Sequence, residues 1–190
     1  MAMAGKDVKK GWFSTPGRPG DRTLEQQLNG LDRLFMAAHG KTILDLGCAE
    51  GLISIELAKA GALAVHGVEI VPGHVEVANK LRGDLPVTFE VGDANVWQPK
   101  RNYDIVIALA LLQKVRNPTA VAARLAASAR ELVVLRLPPQ HAPTVIDERS
   151  GNEPHHIGTV MKNGGWYVEH AGYDGAFGEW MGYYRRNKNA

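Results

Sequence analysis

Short apolar runs alternate with amphipathic stretches through the middle of the chain. The apolar runs have the length of buried strands. They predict five strands, at residues 42–46, 64–68, 87–91, 103–109 and 131–137. Between them, apolar residues recur at helical spacing and predict three helices, at residues 52–60, 74–82 and from Pro118 onward. Continuously apolar strands that alternate with helices are typical of a parallel sheet covered on both faces.

The N-terminal part of the chain departs from this alternation. Residues 11–21 are rich in Gly and Pro, so we expect an irregular segment there. Apolar residues on one face then predict a single helix that is capped by Asp21 or Thr23 and continues through Ala38.

The pattern changes again after Pro138. We expect a loop over residues 140–154, a helix at 156–163, and two closing strands at 166–170 and 179–184. Two late strands of this kind predict an antiparallel hairpin at the sheet edge. The predicted fold is therefore α/β: a three-layer, Rossmann-like, seven-stranded, mostly parallel sheet with an antiparallel C-terminal edge hairpin.

Composition and charge narrow the classes of function. Of the 190 residues, 45% are hydrophobic and 22% are charged, which is ordinary for a globular protein. The net charge of +2 lacks the basic excess of a protein that coats nucleic acid. Because Cys48 is the only cysteine, no intramolecular disulfide can form, as is typical of a reducing compartment. No apolar run has the length of a membrane span, and we expect a cytoplasmic protein.

Carboxylates and glycines stand where three predicted strands end. The first strand runs into a helix through Asp45, Gly47 and Gly51, a D-x-G-x-x-x-G spacing that differs from the dinucleotide fingerprint G-x-G-x-x-G. Glu69 ends the second strand, where a carboxylate can accept two hydrogen bonds from a ribose diol. Asp93 follows the third strand, where it can accept a hydrogen bond from an adenine amine. Each acid alone is compatible with a capping or solvated role, but their joint placement at one sheet edge favours a ligand site.

Four segments in this order, DLGCAEG, VE, GDA and YDIVIALALLQKV, resemble the class I S-adenosylmethionine-dependent methyltransferases over residues 40–137. The resemblance implies an enzyme that uses S-adenosylmethionine as cofactor. It implies that Asp45 and its two following glycines line the methionine end, that Glu69 binds the ribose hydroxyls, and that Asp93 binds the adenine amine. The implied cofactor site comprises Asp45, Gly47, Cys48, Ala49, Gly51, Glu69, Ile70, Asp93, Ala94 and Leu109. We interpret Cys48 as a packing residue and not as a nucleophile.

The resemblance also implies how the whole chain is divided. We expect one methyltransferase domain over residues 1–190. It would consist of an N-terminal arm and helix (1–39), a cofactor-binding core (40–137), and a substrate-side loop with the closing hairpin (138–190).

Several signatures of other methyltransferase classes are missing after the fourth strand. The segment ALAL stands in place of an N/D-P-P-Y/F element, and it contains neither a catalytic cysteine nor a metal-binding aspartate. We therefore favour an oxygen nucleophile on a small metabolite, sugar or glycan. A dedicated base is needed only if that oxygen is protonated, and His155 and His156 are the candidates.

The candidate substrate-binding residues are Trp12, Gln113, Lys114 and His156. Trp12 could belong to a lid over the cofactor or to a packed arm. No metal is expected, because His141, Asp147, Glu148 and the histidine pair lack a recognised ligand spacing.

Two alternatives remain open. Residues 11–17 and the segment LLQKVRNP are similar to a tRNA wobble-uridine-modifying branch, which implies RNA as acceptor. The basic residues that would contact phosphates are Lys6, Lys9, Lys10, Arg185, Arg186 and Lys188. The second alternative is a non-catalytic cofactor-binding module that regulates a partner.

Overall fold

The structure, a computed structural model, describes residues 11–13, 15, 20–138 and 154–187. Its main sheet consists of β3 (Thr42–Leu46), β4 (Ala64–Glu69), β5 (Val87–Val91), β6 (Tyr103–Leu109), β7 (Ala129–Leu137), β8 (Trp166–Gly172) and β9 (Trp180–Arg186). The helices are α1 (Leu24–Leu28), α2 (Asp32–Ala38), α3 (Leu52–Lys59), α4 (Pro72–Leu81), α5 (Pro118–Ser128) and α6 (Pro154–Asn163). A 3₁₀ turn at Leu112–Lys114 follows β6.

The strand order of the main sheet is β5-β4-β3-β6-β7-β9-β8. The first five strands in this order are parallel, whereas β9 is antiparallel to both β7 and β8. The predicted seven-stranded α/β fold with its antiparallel edge hairpin is confirmed. The order reverses at β3, which lies between β4 and β6, and such a switch point leaves a cleft at the carboxyl ends of the strands.

Two apolar clusters cover the two faces of the sheet. Successive residues of a strand point to opposite faces, so Ile43 joins one cluster and Leu44 the other. Residues of α2 and α3 pack on the first face, and residues of α5 and α6 pack on the second. Burial on both faces explains why the central strands are continuously apolar.

The single helix predicted through Ala38 is wrong, because the segment forms two helices. Thr23 is the N-cap of α1, and a capping box with Gln26 supports it. The helix then stops at Asn29, and Gly30 has φ +77°, a left-handed conformation that favours glycine. A Cβ atom at Gly30 would lie 3.0 Å from the carbonyl oxygen of Asp174, so the close approach of the β8–β9 connection also favours glycine here.

The segment predicted to be irregular also contains regular structure. Gly11–Phe13 (β1) and Gly20–Arg22 (β2) form a short parallel pair. The predicted loop at 140–154 lies almost entirely outside the described residues. None of the helices in the described part of the chain is long and apolar enough to cross a bilayer.

Candidate active site

A cavity of about 240 Å³ opens at the carboxyl ends of β3, β4, β5 and β6. All of the predicted cofactor residues except Gly51 line it: Asp45, Gly47, Cys48, Ala49, Glu69, Ile70, Asp93, Ala94 and Leu109. The structure therefore brings these residues together at the switch point of the sheet.

The connection from β3 to α3 forms the floor of the cavity. The backbone N–H groups of Gly47 and Cys48 donate to the carbonyl of Val68, at 2.7 and 3.2 Å, and tie this turn to the end of β4. Ala49 has φ +48°, a left-handed conformation that costs a non-glycine residue about 1 kcal/mol. Strain of this kind persists only where surrounding contacts hold it, and here the Ala49 N–H donates to Glu69.

Asp45 is a buried carboxyl group in the cavity wall. Its Oδ2 accepts a hydrogen bond from Ser54 Oγ at 2.6 Å. Burial raises the pKa of Asp45 from its usual 3.8 to about 7, the Ser54 hydrogen bond opposes this increase, and the nearby charge of Glu69 adds to it. Near neutral pH the group is thus poised between its two protonation states, and a cationic ligand would favour the carboxylate.

Glu69 is held at the tip of β4 by two backbone donors. Its Oε2 accepts from the N–H of Ala49 and its Oε1 from the N–H of Val71, both at 3.0 Å. A carboxylate has about four lone-pair positions, so each oxygen can accept a further hydrogen bond from a ligand in the cavity.

Asp93 presents a carboxylate at the β5 side of the cavity. Its Oδ1 accepts from the N–H and the side-chain amide of Asn95, at 2.8 and 2.7 Å. The backbone hydrogen bond from Asn95 is the main cause that lowers the pKa of Asp93, with burial opposing it. Among the described residues, Oδ2 has no hydrogen-bond donor, so it can accept one from a ligand amine.

The β6 side of the cavity is apolar apart from Lys114. Leu109, Ala110 and Leu111 line it, and Ala110 has φ +57° while its N–H donates to the carbonyl of Arg136 at 2.9 Å. Lys114 lines the cavity with part of its side chain exposed. Loss of surrounding water lowers the pKa of the Lys114 ammonium, and the charge of Glu69 opposes this decrease.

Sequence reasoning missed Gln27, which also lines the cavity. Gln27 is only 3% exposed, in α1. It lies at helical spacing from Leu24 and Leu31, on the apolar face of the predicted helix. A glutamine at such a position was the signal available in the sequence.

Several predicted residues lie away from the cavity. Gly51 packs against Phe89 of β5, and a Cβ atom at Gly51 would overlap the ring of Phe89. Gln113 is buried in the 3₁₀ turn and does not line the cavity. The backbone of Trp12 belongs to β1, but its side chain is outside the described part of the structure.

The histidine pair is also separate from the cavity. His155 and His156 are exposed in the first turn of α6, with ring centroids 4.0 Å apart. Of the other groups considered, His141, Asp147 and Glu148 are outside the described residues. Within 20–138 and 154–187, no three His, Cys, Asp or Glu side chains converge as metal ligands do.

Cys48 lies in the cavity wall and is 4% exposed. Burial raises the pKa of its thiol well above the usual value, with the neighbouring carboxylates Asp45 and Glu69 contributing. A protonated, buried thiol is a poor nucleophile, which supports the interpretation of Cys48 as a packing residue.

Comparison with known proteins finds a family match for the central part of the chain. Residues 43–132 match the family described as "Methyltransferase domain". A ubiquinone biosynthesis O-methyltransferase of Shewanella sp. (strain ANA-3) is 29% identical over 99 residues, which cover 50% of this chain and 42% of that protein. A malonyl-[acyl-carrier protein] O-methyltransferase of Anoxybacillus flavithermus is 33% identical over 92 residues, which cover 48% of this chain and 36% of that protein. The chain thus spans less than half the length of these two relatives.

Solved structures share the fold more extensively. The magnesium protoporphyrin IX methyltransferase ChlM of Synechocystis PCC 6803, with bound S-adenosylhomocysteine, superposes with a TM-score of 0.72 at 22% identity, covering 86% of this chain and 84% of that one. The bifunctional kinase-methyltransferase WbdD superposes with a TM-score of 0.70 at 20% identity, covering 95% of this chain and 44% of that one. The same ChlM enzyme has also been solved with bound S-adenosylmethionine. Residues 43–132 therefore match a methyltransferase domain, and the chain has the fold of the class I S-adenosylmethionine-dependent methyltransferases.

Proposed function

We propose that this protein transfers a methyl group from S-adenosylmethionine to an oxygen atom of a small acceptor. One observation carries the proposal: the carboxylates Asp45, Glu69 and Asp93 line one cavity, at the ends of three adjacent strands. A ligand that extends along this edge would meet three hydrogen-bond acceptors in a fixed order.

The side chains of the cavity suit this cofactor. Asp93 is ionised and has an oxygen available for an adenine amine. Glu69 is fixed by two backbone donors and retains lone pairs for the ribose hydroxyls. Asp45 lies next in the strand order, toward β6, and its carboxylate suits the cationic methionine end.

The cofactor supplies a methyl group on a sulfonium, which is displaced in line by the acceptor oxygen. The residues of this chain would position the two reactants and exclude water from them. The apolar wall of Leu109, Leu111 and Val115 suits the exclusion of water, and its side chains offer no competing nucleophile. Lys114, in the same part of the lining, carries the cation that would hold an acidic acceptor oxygen.

Two considerations favour a small oxygen acceptor. The two curated relatives named above are O-methyltransferases, one named for ubiquinone biosynthesis and one for malonyl-[acyl-carrier protein]. A carboxylic acid is already ionised near neutral pH, and a phenol, with a pKa of about 10, is far easier to ionise than a sugar hydroxyl, so His155 and His156 need not act as bases. Hydroxyls of sugars and glycans belong to the same oxygen class and demand a stronger base.

Calorimetric titration with S-adenosylmethionine, S-adenosylhomocysteine and NAD tests the cofactor. We expect micromolar binding of the first two ligands only. Asp45→Ala and Glu69→Ala should abolish it, whereas Glu76→Ala, which removes an exposed carboxylate from α4, should not. A folded wild-type protein that binds neither ligand would contradict the proposal.

The acceptor is tested with methyl-labelled S-adenosylmethionine. We expect label in small phenols or carboxylic acids and none in RNA. Two of the basic residues that RNA would require, Arg185 and Arg186, lie at the end of β9. Arg185 pairs with Leu132 near the start of β7, so both lie near the amino ends of the parallel strands, whereas the cavity lies at their carboxyl ends. Labelled RNA, with binding that weakens steeply in salt, would favour RNA methylation instead. Cofactor binding without turnover on any acceptor would favour the regulatory module.

A further inference from the structure

A buried side-chain amide in the cavity wall, that of Gln27, has an NH₂ group whose two donors are unused among the described residues. The Oε1 of Gln27 accepts a hydrogen bond from Arg136 Nη1 at 3.3 Å. Its Nε2 is buried and has no partner among the described residues. A buried polar group without a partner carries a desolvation cost that a suitable ligand atom can remove.

Arg136 fixes the orientation of this amide. Its guanidinium is 1% exposed and also donates to the carbonyls of Gln27 and Asn29, at 2.7 and 3.0 Å. A guanidinium has only donors, so a flipped amide would point its NH₂ group at other N–H groups. Gln27 therefore keeps Oε1 toward Arg136, and Nε2 is the end of the amide that has no partner among the described residues.

The position of Arg136 places this donor at one end of the cavity. Arg136 is paired with Leu109 across β6 and β7, and its carbonyl accepts from the N–H of Ala110. Asp93 follows β5, on the other side of the β4 and β3 strand ends. The cavity thus has carboxylates on its β5, β4 and β3 side and amide and ammonium donors toward β6 and β7.

This polarity matches the chemistry of an amino-acid-bearing nucleoside. A ligand anchored by its nucleoside at Asp93 and Glu69 would extend its amino-acid end toward β6. The carboxylate at that end is an anionic acceptor, and hydrogen bonds to charged acceptors are about twice as strong as neutral ones.

We propose that Gln27 donates a hydrogen bond from Nε2 to the amino-acid carboxylate of the bound cofactor, and that Arg136 is the positioning residue that orients Gln27 for it. The inference rests on the proposed function. It assigns to α1 a part in ligand recognition that the strand-end carboxylates do not supply.

The test compares two ligands that differ in the amino-acid end. S-adenosylhomocysteine carries the carboxylate, whereas 5′-methylthioadenosine keeps the nucleoside and thioether without it. Gln27→Glu preserves an acceptor for Arg136, so the fold should be retained, and it replaces the donor with an anionic oxygen. Gln26→Glu is the matched control, because it makes the same change one residue away and a Glu at this position still completes the capping box.

We expect Gln27→Glu to weaken S-adenosylhomocysteine binding by about 10-fold or more in calorimetric titrations. Binding of 5′-methylthioadenosine should be unchanged in this variant, and Gln26→Glu should match wild type for both ligands. Unchanged S-adenosylhomocysteine binding, or an equal loss for both ligands, would overturn the assignment of Gln27. If wild type binds neither ligand, the proposed function is wrong and the inference falls with it.

Arg136→Lys tests the positioning role separately. Lysine keeps the positive charge but cannot reach the amide and both carbonyls with a planar fork of donors. We expect the ratio of the two ligand affinities to shift in the same direction as in Gln27→Glu. A purely structural role would weaken both ligands together, and that result would remove Arg136 from the proposal.

Discussion

At the scale of one residue, the buried carboxyl group of Asp45 makes the stability of the fold depend on pH. Its pKa is about 7 in the folded protein and 3.8 when unperturbed, with burial as the main cause of the increase. The stability that the protonated carboxyl contributes is therefore fully present below pH 3.8 and is lost as the pH rises to about 7. Over that range the free energy of unfolding should fall by on the order of 4 kcal/mol because of this group.

Asp45→Asn should remove this dependence. Asparagine still offers an oxygen to Ser54 but cannot ionise, so the variant should become progressively more stable than wild type between pH 4 and pH 8. Urea denaturation of both proteins without ligand at pH 4, 6 and 8 measures the difference. A stability difference that does not change with pH would contradict this account of Asp45.

Gly51 affects the fold and not the cavity. It has φ +73°, and a Cβ atom would overlap the ring of Phe89 and crowd Ala78. Gly51→Ala should lower the free energy of unfolding by about 3 kcal/mol through strain and overpacking. Gly73→Ala is the control, since nothing lies within 4 Å of its Cβ position, and it should be neutral or slightly stabilising. Thermal denaturation of both variants decides this, and equal effects would contradict it.

At the scale of elements, the predicted strands and the helices between them are found close to where the apolar periodicity put them. Each apolar run, together with the glycine that bounds it, predicts the position of its strand or helix from local sequence alone. The carboxylate cluster was also predictable, because parallel strands bring their carboxyl ends to one edge.

The break between α1 and α2 could not be predicted in this way. The guanidinium that donates to the last carbonyls of α1 belongs to Arg136, 109 residues from Gln27. Gly30 marked a weak point in the helix, but its left-handed conformation depends on the surrounding fold. The place of Gln27 in the cavity follows from the same long-range contact.

Arg136 should therefore be important for attaching α1 to the sheet. Arg136→Met removes the donors for two backbone carbonyls and Gln27 Oε1, and we expect a loss of about 3 kcal/mol in the free energy of unfolding. Arg130→Met is the control in the same strand, because Arg130 is more than half exposed and its ion pair with Asp104 contributes under about 1 kcal/mol. Similar losses in urea denaturation for the two variants would contradict the role of Arg136.

At the scale of the whole molecule, protection is expected to decrease from the centre of the sheet to its edges. β3, β6 and β7 are buried along most of their length, whereas β5 and β8 expose much of theirs. Amide hydrogen exchange should be slowest in β3 and β6 and fastest in β8 and β5. Equal protection of β8 and β6 would contradict this order.

Cys48 is a natural site for chemical modification of the cavity wall. As the only thiol of the chain, it lines the cavity and is nearly inaccessible. A small alkylating reagent can reach it only when the cavity wall opens, and a bound ligand would cover the same wall. The rate of alkylation of the unmodified protein therefore reports directly on occupancy of the cavity, without an engineered label.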